Sequence, residues 1–449
     1  MTQVGAHCVT AETQVGEGKY KKLPEAQRAS FGLCFEMSVI AAILLRRKRP
    51  AGVILEQVKT PSRASSAAIA IPEPIPMIIV ADDKIPFLRG VLEPWAEVRY
   101  LSGAKIGPAE VKDASALITR TRTKVDAALL QNSALKFVAT ATIGTDHLDI
   151  PALAAKGVTW TSAPGCNAES VAQWFTSALV RLWLKHGISW QGKTLGIVGC
   201  GNVGKRIANK ARALGMKILI NDPPRARAEG PAGFVDFDTI LTQCEFITLH
   251  VPLERSGPEC TLGLFDDAAF ARVKSGAVIF NSCRGEVIVE PALRQALGKG
   301  LKAAVLDVWD PEPEITPASL AAAAFATPHI AGYSVDGKAN GTSMSVQALA
   351  RHFGIPALLH WTPEQVPAPK TPVIDLRSFS DPIDIICRAV LATYDIAEDD
   401  ARLRADPSTF EALRGAYPPR REFAAHKVLL SAGSAAAAIL AAMDFQIGQ

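Results

Sequence analysis

Three polar residues of this 449-residue chain stand where chemistry could be done. Arg284 follows the apolar run Ala277–Asn281, Glu312 lies between Pro311 and Pro313, and His329 sits in the turn Thr327-Pro328-His329-Ile330-Ala331-Gly332. A guanidinium can fork onto a carboxylate with two parallel hydrogen bonds and polarise a neighbouring carbonyl. A histidine titrating near neutrality can move a proton, and a glutamate beside it orients the ring and raises its pKa. Each alone has a plain reading, as a surface ion pair, a solvated carboxylate and a structural histidine. Their arrival in this order, after successive short apolar runs, points to one site.

A second constellation is Gly199-Cys200-Gly201-Asn202-Val203-Gly204, set between the apolar runs Leu195–Val198 and Lys217–Asn221, with Asp222 closing the second run. In a strand–turn–helix unit, the first glycine permits the turn, the second lets backbone amides reach a pyrophosphate, and the third lets the helix lie close to the strand. The helix N-terminus then faces the phosphates. An acid roughly twenty residues on accepts the ribose diol of NAD and repels the 2′-phosphate of NADP. Arg225 and Arg227 follow it and weigh the other way. The cofactor expected is NAD.

These residues need a scaffold that brings strand ends together. Strands are expected at Met77–Asp82, Ala116–Thr119, Phe137–Ala141, Leu195–Val198, Lys217–Asn221, Phe246–His250, Ala277–Asn281 and Ala303–Asp307. Helices are expected from Pro86, over Ala168–Lys185, after Gly204, and over about Gly341–Phe353. Such alternation predicts an α/β chain with parallel sheets, whose ligands lie beyond the carboxyl ends of the strands. Past the Pro-rich stretch Trp361–Pro372, a helix is expected at Asp381–Thr393, followed by the charged segment Glu398–Arg404 and the Ala-rich stretch Ser431–Met443.

Composition narrows the class. The net charge of +4 resides in residues 1–76, which hold ten Lys and Arg against six Glu and no Asp, so no folded domain is strongly basic. No nucleic-acid motif accompanies it, and nucleic acid is not an expected partner. The eight cysteines show no Cys-x-x-Cys and no zinc spacing, which predicts a reducing, cytoplasmic location and no metal. Met37–Leu45 is too short to cross a bilayer and Arg46–Arg49 follows it, so neither a membrane anchor nor a signal peptide is expected.

The series Gly199–Gly204, Asp222, His250-Val251-Pro252-Leu253, Cys283-Arg284-Gly285, Asp307-Val308-Trp309, Glu312-Pro313 and His329-Ile330-Ala331-Gly332 resembles the D-isomer-specific 2-hydroxyacid dehydrogenases. Arg120–Val125, Thr140–His147, Gly332–Thr342 and the segment after the linker bring the resemblance closest to members that oxidise 4-phospho-D-erythronate for vitamin B6 synthesis. The resemblance implies catalytic roles for Arg284, Glu312 and His329. It implies cofactor contacts at Gly199, Gly201, Asn202, Val203, Gly204, Asp222, Val251, Ser282, Cys283, Asp307 and Gly332, and substrate contacts at Arg120, Thr121, Lys124, Thr142 and Tyr333. Val251 stands where many relatives carry a threonine, and Arg122 adds a cation of unassigned direction. Two alternatives stay open: another 2-hydroxyacid dehydrogenase, of 3-phosphoglycerate or glyoxylate type, and an NAD-sensing co-repressor-like binding protein.

The architecture implied is α/β, with two Rossmann-like domains and a small C-terminal α+β dimerisation domain. Residues 77–175, completed by 326–358, would bind substrate, and 176–325 would bind NAD. Residues 359–372 form the linker and 373–449 the dimerisation domain of a homodimer. Residues 1–76 are expected to be a dispensable extension, disordered or not native to the protein; the basic cluster Arg46–Arg49 alone speaks for a regulatory or targeting arm.

Overall fold

Short runs rich in β-branched and aliphatic residues, buried in the central strands and partly exposed at the edges, make three parallel sheets. In the computed structural model, residues 77–449 are described. The expectations for residues 1–76 lie outside them.

The first sheet holds β1 (Ile78–Asp82), β2 (Glu97–Leu101), β3 (Ala116–Thr119), β4 (Phe137–Thr140) and β5 (Thr159–Thr161) in the order β2-β1-β3-β4-β5. The order reverses between β1 and β3, so a crevice opens beyond their carboxyl ends. Arg120 begins the loop after β3. The second sheet holds β6 (Thr194–Val198), β7 (Lys217–Asn221), β8 (Phe246–Leu249), β9 (Val278–Asn281), β10 (Ala303–Leu306) and β11 (Phe325–Ala326), ordered β11-β10-β9-β8-β6-β7. Its reversal falls between β6 and β8, where the glycine-rich turn begins. On the outer side of β7, the Val235 amide donates to the Ile220 carbonyl at 2.8 Å and Asn221 Nδ2 donates to the Val235 carbonyl at 2.9 Å.

The helix Ala168–His186 packs its apolar face on the second sheet and on the C-terminal segment: Val171, Phe175 and Leu179 share one core with Ile197, Ile207, Ile385, Val390, Ile396 and Phe423. The expected boundary between residues 175 and 176 therefore falls inside one continuous helix. The helix Val335–Phe353 returns to the first sheet, where Val346 and Leu349 bury against Ile79, Ile118 and Phe137. The chain thus crosses to the second sheet before Ala168, returns at Ser334, and crosses again after Trp361. The first two crossings lie side by side, joined by the Ser170–Ser334 hydroxyl contact of 2.6 Å.

After an irregular stretch come β12 (Val373–Asp375), β13 (Lys427–Leu429) and β14 (Gln446–Gly448), a small parallel sheet with the helices Pro382–Thr393, Ile396–Ala405 and Ala436–Ala442. Two further expectations differ from what is found. The stretch from Pro86 forms successive turns, since Phe87 (φ 63°) and Gly90 (φ 85°) take the left-handed region. The helix expected from about Gly341 begins at Val335, where Ser334 caps it by accepting the Gly337 amide at 2.7 Å.

Candidate active site

The loops after β9, β10 and β11 bring Arg284, Glu312 and His329 to one cleft between the two large sheets. His329 Nδ1 lies 2.8 Å from Glu312 Oε2, and Glu312 Oε1 accepts the Trp309 amide at 3.0 Å. Burial pushes the Glu312 carboxyl up, but the hydrogen bond and charge of His329 outweigh it and leave the pKa below its ordinary value. An ionised Glu312 requires Nδ1 to carry the proton, so Nε2 is the acceptor left for other groups.

The backbone at His329 is held in the left-handed region, φ 54°. Asp307, 1% exposed, holds it there. Its carbonyl accepts the His329 amide at 2.7 Å, while its carboxylate accepts Ile330 N at 2.8 Å, Ala331 N at 2.9 Å and Thr327 Oγ1 at 2.6 Å. Backbone outliers of this kind cost roughly 1–3 kcal/mol and persist where the surroundings over-determine them. About four acceptor positions exist on a carboxylate. Asp307 keeps one for a further donor.

Arg284 reaches the cleft from the loop after β9, on the same side as Glu312 and His329. One arm donates to its neighbour's carbonyl, Cys283 O, at 2.7 Å, and the other to Asp146 Oδ2 at 2.7 Å. Asp146 belongs to the loop after β4. Burial raises its pKa, yet the Arg284 charge and hydrogen bond bring it below the ordinary range. Thr142, in the same loop, shares a 2.8 Å contact with Thr140 Oγ1.

The glycine-rich turn has the shape its spacing demands. Gly199 takes φ 85°, and a Cβ there would meet the His250 carbonyl at 2.5 Å. A Cβ on Gly201 would meet nothing within 4 Å, so this is the open face toward the cleft. One on Gly204 would run into the Gly199 carbonyl, so the helix Asn202–Ala213 could not lie so close. No side chain caps that helix at Gly201, which leaves amides free for an anion. Ser282 Oγ is buried with no partner among the described residues. Cys283 and partly buried Val251 pack in the core beneath. A Cβ on Gly332 would run into Asn167. Asp222 accepts the Cys200 amide at 2.8 Å and the Arg225 amide at 3.2 Å, and Arg225 donates to Cys200 O at 2.7 Å. The free amides, the open Gly201 and the orphaned Ser282 hydroxyl fit a dinucleotide.

Of the substrate residues expected, Thr142 shares the loop of Asp146, Arg120 donates to the Lys84 carbonyl at 3.3 Å, Tyr333 closes the turn after His329, and Thr121 is exposed on the loop after β3. Lys124 does not join them. Its side chain is 82% exposed and lies 3.4 Å from Asp126, because the loop turns it outward. Arg122 pairs with Glu411 of the C-terminal segment. Lys338 was absent from the sequence expectation. Its Nζ lies 5.0 Å from the centre of the Tyr333 ring, and burial together with the positive Arg120 and Arg420 pushes its pKa down.

Comparison with known proteins accords with this geometry. The family pattern described as D-isomer specific 2-hydroxyacid dehydrogenase, NAD binding domain, matches residues 172–331, and a domain of unknown function matches 366–443. The chain is 45% identical over 357 residues to an erythronate-4-phosphate dehydrogenase of Bacteroides fragilis, covering 79% of this chain and 100% of that one. The chain belongs to the erythronate-4-phosphate dehydrogenase family. Another such dehydrogenase, from Porphyromonas gingivalis, is 42% identical, with 82% of this chain and all of that one covered. Among solved structures, the NAD+-bound 3-phosphoglycerate dehydrogenase of Entamoeba histolytica is 25% identical with a TM-score of 0.52, covering 64% of this chain and 98% of that one. As in other erythronate-4-phosphate dehydrogenases, the chain is an NAD-dependent dehydrogenase, with NAD the cofactor of its central domain. No helix of the described residues is long and apolar enough to cross a membrane.

Proposed function

We propose that this protein oxidises 4-phospho-D-erythronate at C2 to 2-oxo-3-hydroxy-4-phosphobutanoate, in vitamin B6 synthesis. The observation that carries the reading is the His329–Glu312 pair at 2.8 Å on the loops next to the one that carries Arg284. Family membership at 45% identity over the full length of a relative supports the substrate. NAD, when bound, accepts the hydride released from C2.

This chain's residues supply the rest. His329 Nε2 takes the C2 hydroxyl proton, and Glu312 stabilises the imidazolium that forms. Arg284 binds the substrate carboxylate and the developing carbonyl oxygen. Thr121 and Thr142 contact the hydroxyls. Arg120, Tyr333 and Lys338 take the phosphate: three polar groups around one cleft, of which Lys338 makes no ion pair among the described residues. Gly199, Gly201, Asn202, Val203 and Gly204 cradle the pyrophosphate, Asp222 takes the ribose diol, and Val251, Ser282, Cys283, Asp307 and Gly332 surround the nicotinamide side.

The domain division, a homodimer built on residues 373–449, and a cytoplasmic location belong to the same proposal. The apolar helices of the C-terminal segment are covered within the chain by Ala168–His186, so burial alone does not demand a second copy. Light scattering of the purified protein decides the mass. The function is tested by NADH formation from 4-phospho-D-erythronate; equal or better turnover of 3-phosphoglycerate would replace the substrate. Tight NADH binding with no turnover would favour the co-repressor-like reading.

A further inference from the structure

The C-terminal segment matches a domain with no assigned function, yet it grips the loop that carries the proton-transfer residue. Arg420 Nη2 donates to the Ala331 carbonyl at 2.6 Å and reaches Ile330 O at 3.4 Å, the two carbonyls directly after His329. In return, the Arg420 carbonyl accepts the Val335 amide at 2.8 Å. Arg421 forks onto Asp336, whose other contact is the Glu422 amide at 2.9 Å. The Ser334 and Ser170 hydroxyls each lie 2.8 Å from Glu422 Oε1 and 2.6 Å from each other, a three-membered hydrogen-bonded cluster. The Tyr417 ring stands edge-on to Tyr333, centroids 5.8 Å apart, and Arg414 lies 5.9 Å from the Tyr333 ring centre.

Arg420 is a costly way to fill a core. It is 5% exposed, and its Nε and Nη1 find no partner among the described residues. It lies 4.3 Å from the Tyr394 ring centre, with Asp399 held by the Tyr394 and Tyr417 hydroxyls behind it. An apolar side chain of similar volume would pack there without the desolvation of a cation. What Arg420 supplies is a buried charged donor, its Nη2, held at the carbonyls that follow a left-handed His329.

We infer that the segment Arg414–Glu422 is part of the catalytic apparatus, a cast in which the loop His329–Asp336 is set, with Arg420 the positioning residue for His329 and Tyr417 for Tyr333. The inference rests on the proposed role of His329. Displacing a reacting group by about 1 Å can cost roughly a hundredfold in rate. Arg420→Gln is therefore expected to lower kcat by about 10- to 100-fold, with little change in KM. NADH affinity, measured by fluorescence titration, should stay within about threefold, since no contact of the glycine-rich turn involves Arg420.

Arg420→Lys keeps the charge and one donor and should recover part of the lost kcat, which general loosening of the fold would not predict. Arg421→Gln alters a side chain nearer the surface and serves where Arg420→Gln fails to fold; a kcat loss of about threefold or more is expected, its two-pronged hold on Asp336 being gone. A folded variant of native mass that keeps kcat within twofold overturns the inference. His329→Ala, assayed alongside, separates the two readings. Full activity there refutes the proton-transfer assignment, whereas an inactive His329→Ala beside a fully active Arg420→Gln refutes the positioning role alone.

Discussion

Arg284 and Asp146 meet at 2.7 Å across the cleft, one from the NAD-binding half and the other from the loop after β4. The carboxylate of Asp146 occupies an arm of the guanidinium proposed to receive the substrate's carboxylate. The pair is partly exposed, with side chains 31% and 69% accessible, so it is worth at most about 1 kcal/mol. Asp146→Ala should lower KM for the phosphorylated acid by up to about fivefold, because the competitor is gone. A KM raised tenfold in steady-state assays would instead make Asp146 part of the substrate's own seat.

His329→Ala should lower kcat by about two to four orders of magnitude, the usual contribution of a positioned acid–base group. NADH binding should stay near normal. Glu312→Gln keeps the shape but removes the charge that stabilises the imidazolium, so kcat should fall by a smaller factor. A His329→Ala enzyme retaining more than a tenth of the activity excludes it as the proton carrier.

Asp222→Ala should weaken NAD and narrow the preference over NADP. The ribose diol loses its acceptor, and Arg225, already at Cys200 O, stands beside the vacated position. Isothermal titration with both nucleotides measures this. Unchanged NAD affinity would show that Asp222 only braces the turn through Cys200.

His250 gives the stability profile an acid edge. Burial lowers its pKa from 6.5 to about 3, with Thr248 Oγ1 at 2.8 Å as ring partner. Between those values the unfolded chain binds a proton that the folded chain does not, so stability rises with pH. His250 costs nothing above the unfolded pKa and progressively more below it. Melting temperature should fall from pH 7 to pH 5, and His250→Gln should flatten that slope. A slope unchanged in the variant assigns the acid lability elsewhere.

A chain beginning at Met77 should express and turn over substrate as the full chain does, since β1 begins at Ile78. Misfolding of that shorter chain, with the full chain active, would make residues 1–76 part of the enzyme.

Most strands stood in the sequence to within a residue, because each central strand is a short, wholly buried apolar run. Ala116–Thr119 is one example, buried throughout. Helices were harder where glycine serves packing. Val335–Phe353 carries Gly337 and Gly341, poor helix formers whose missing Cβ atoms admit Asn167 and the Ala141 carbonyl. The first two turns of that helix were hidden for this reason, and Lys338 with them. The order Arg284, Glu312, His329 was legible, since each follows a strand of one sheet. Asp146 against Arg284 and Arg420 against Ala331 were not. Those pairs are 138 and 89 residues apart, and no local pattern joins them.

His329 is tied on both sides of its turn, by the Asp307 carbonyl at its own amide and by Arg420 at the carbonyls that follow. Neither tie involves the first sheet, whose link to Arg284 is Asp146. Proton transfer and substrate grip thus depend on separate sets of contacts, and a variant that loosens one leaves the other to be measured alone.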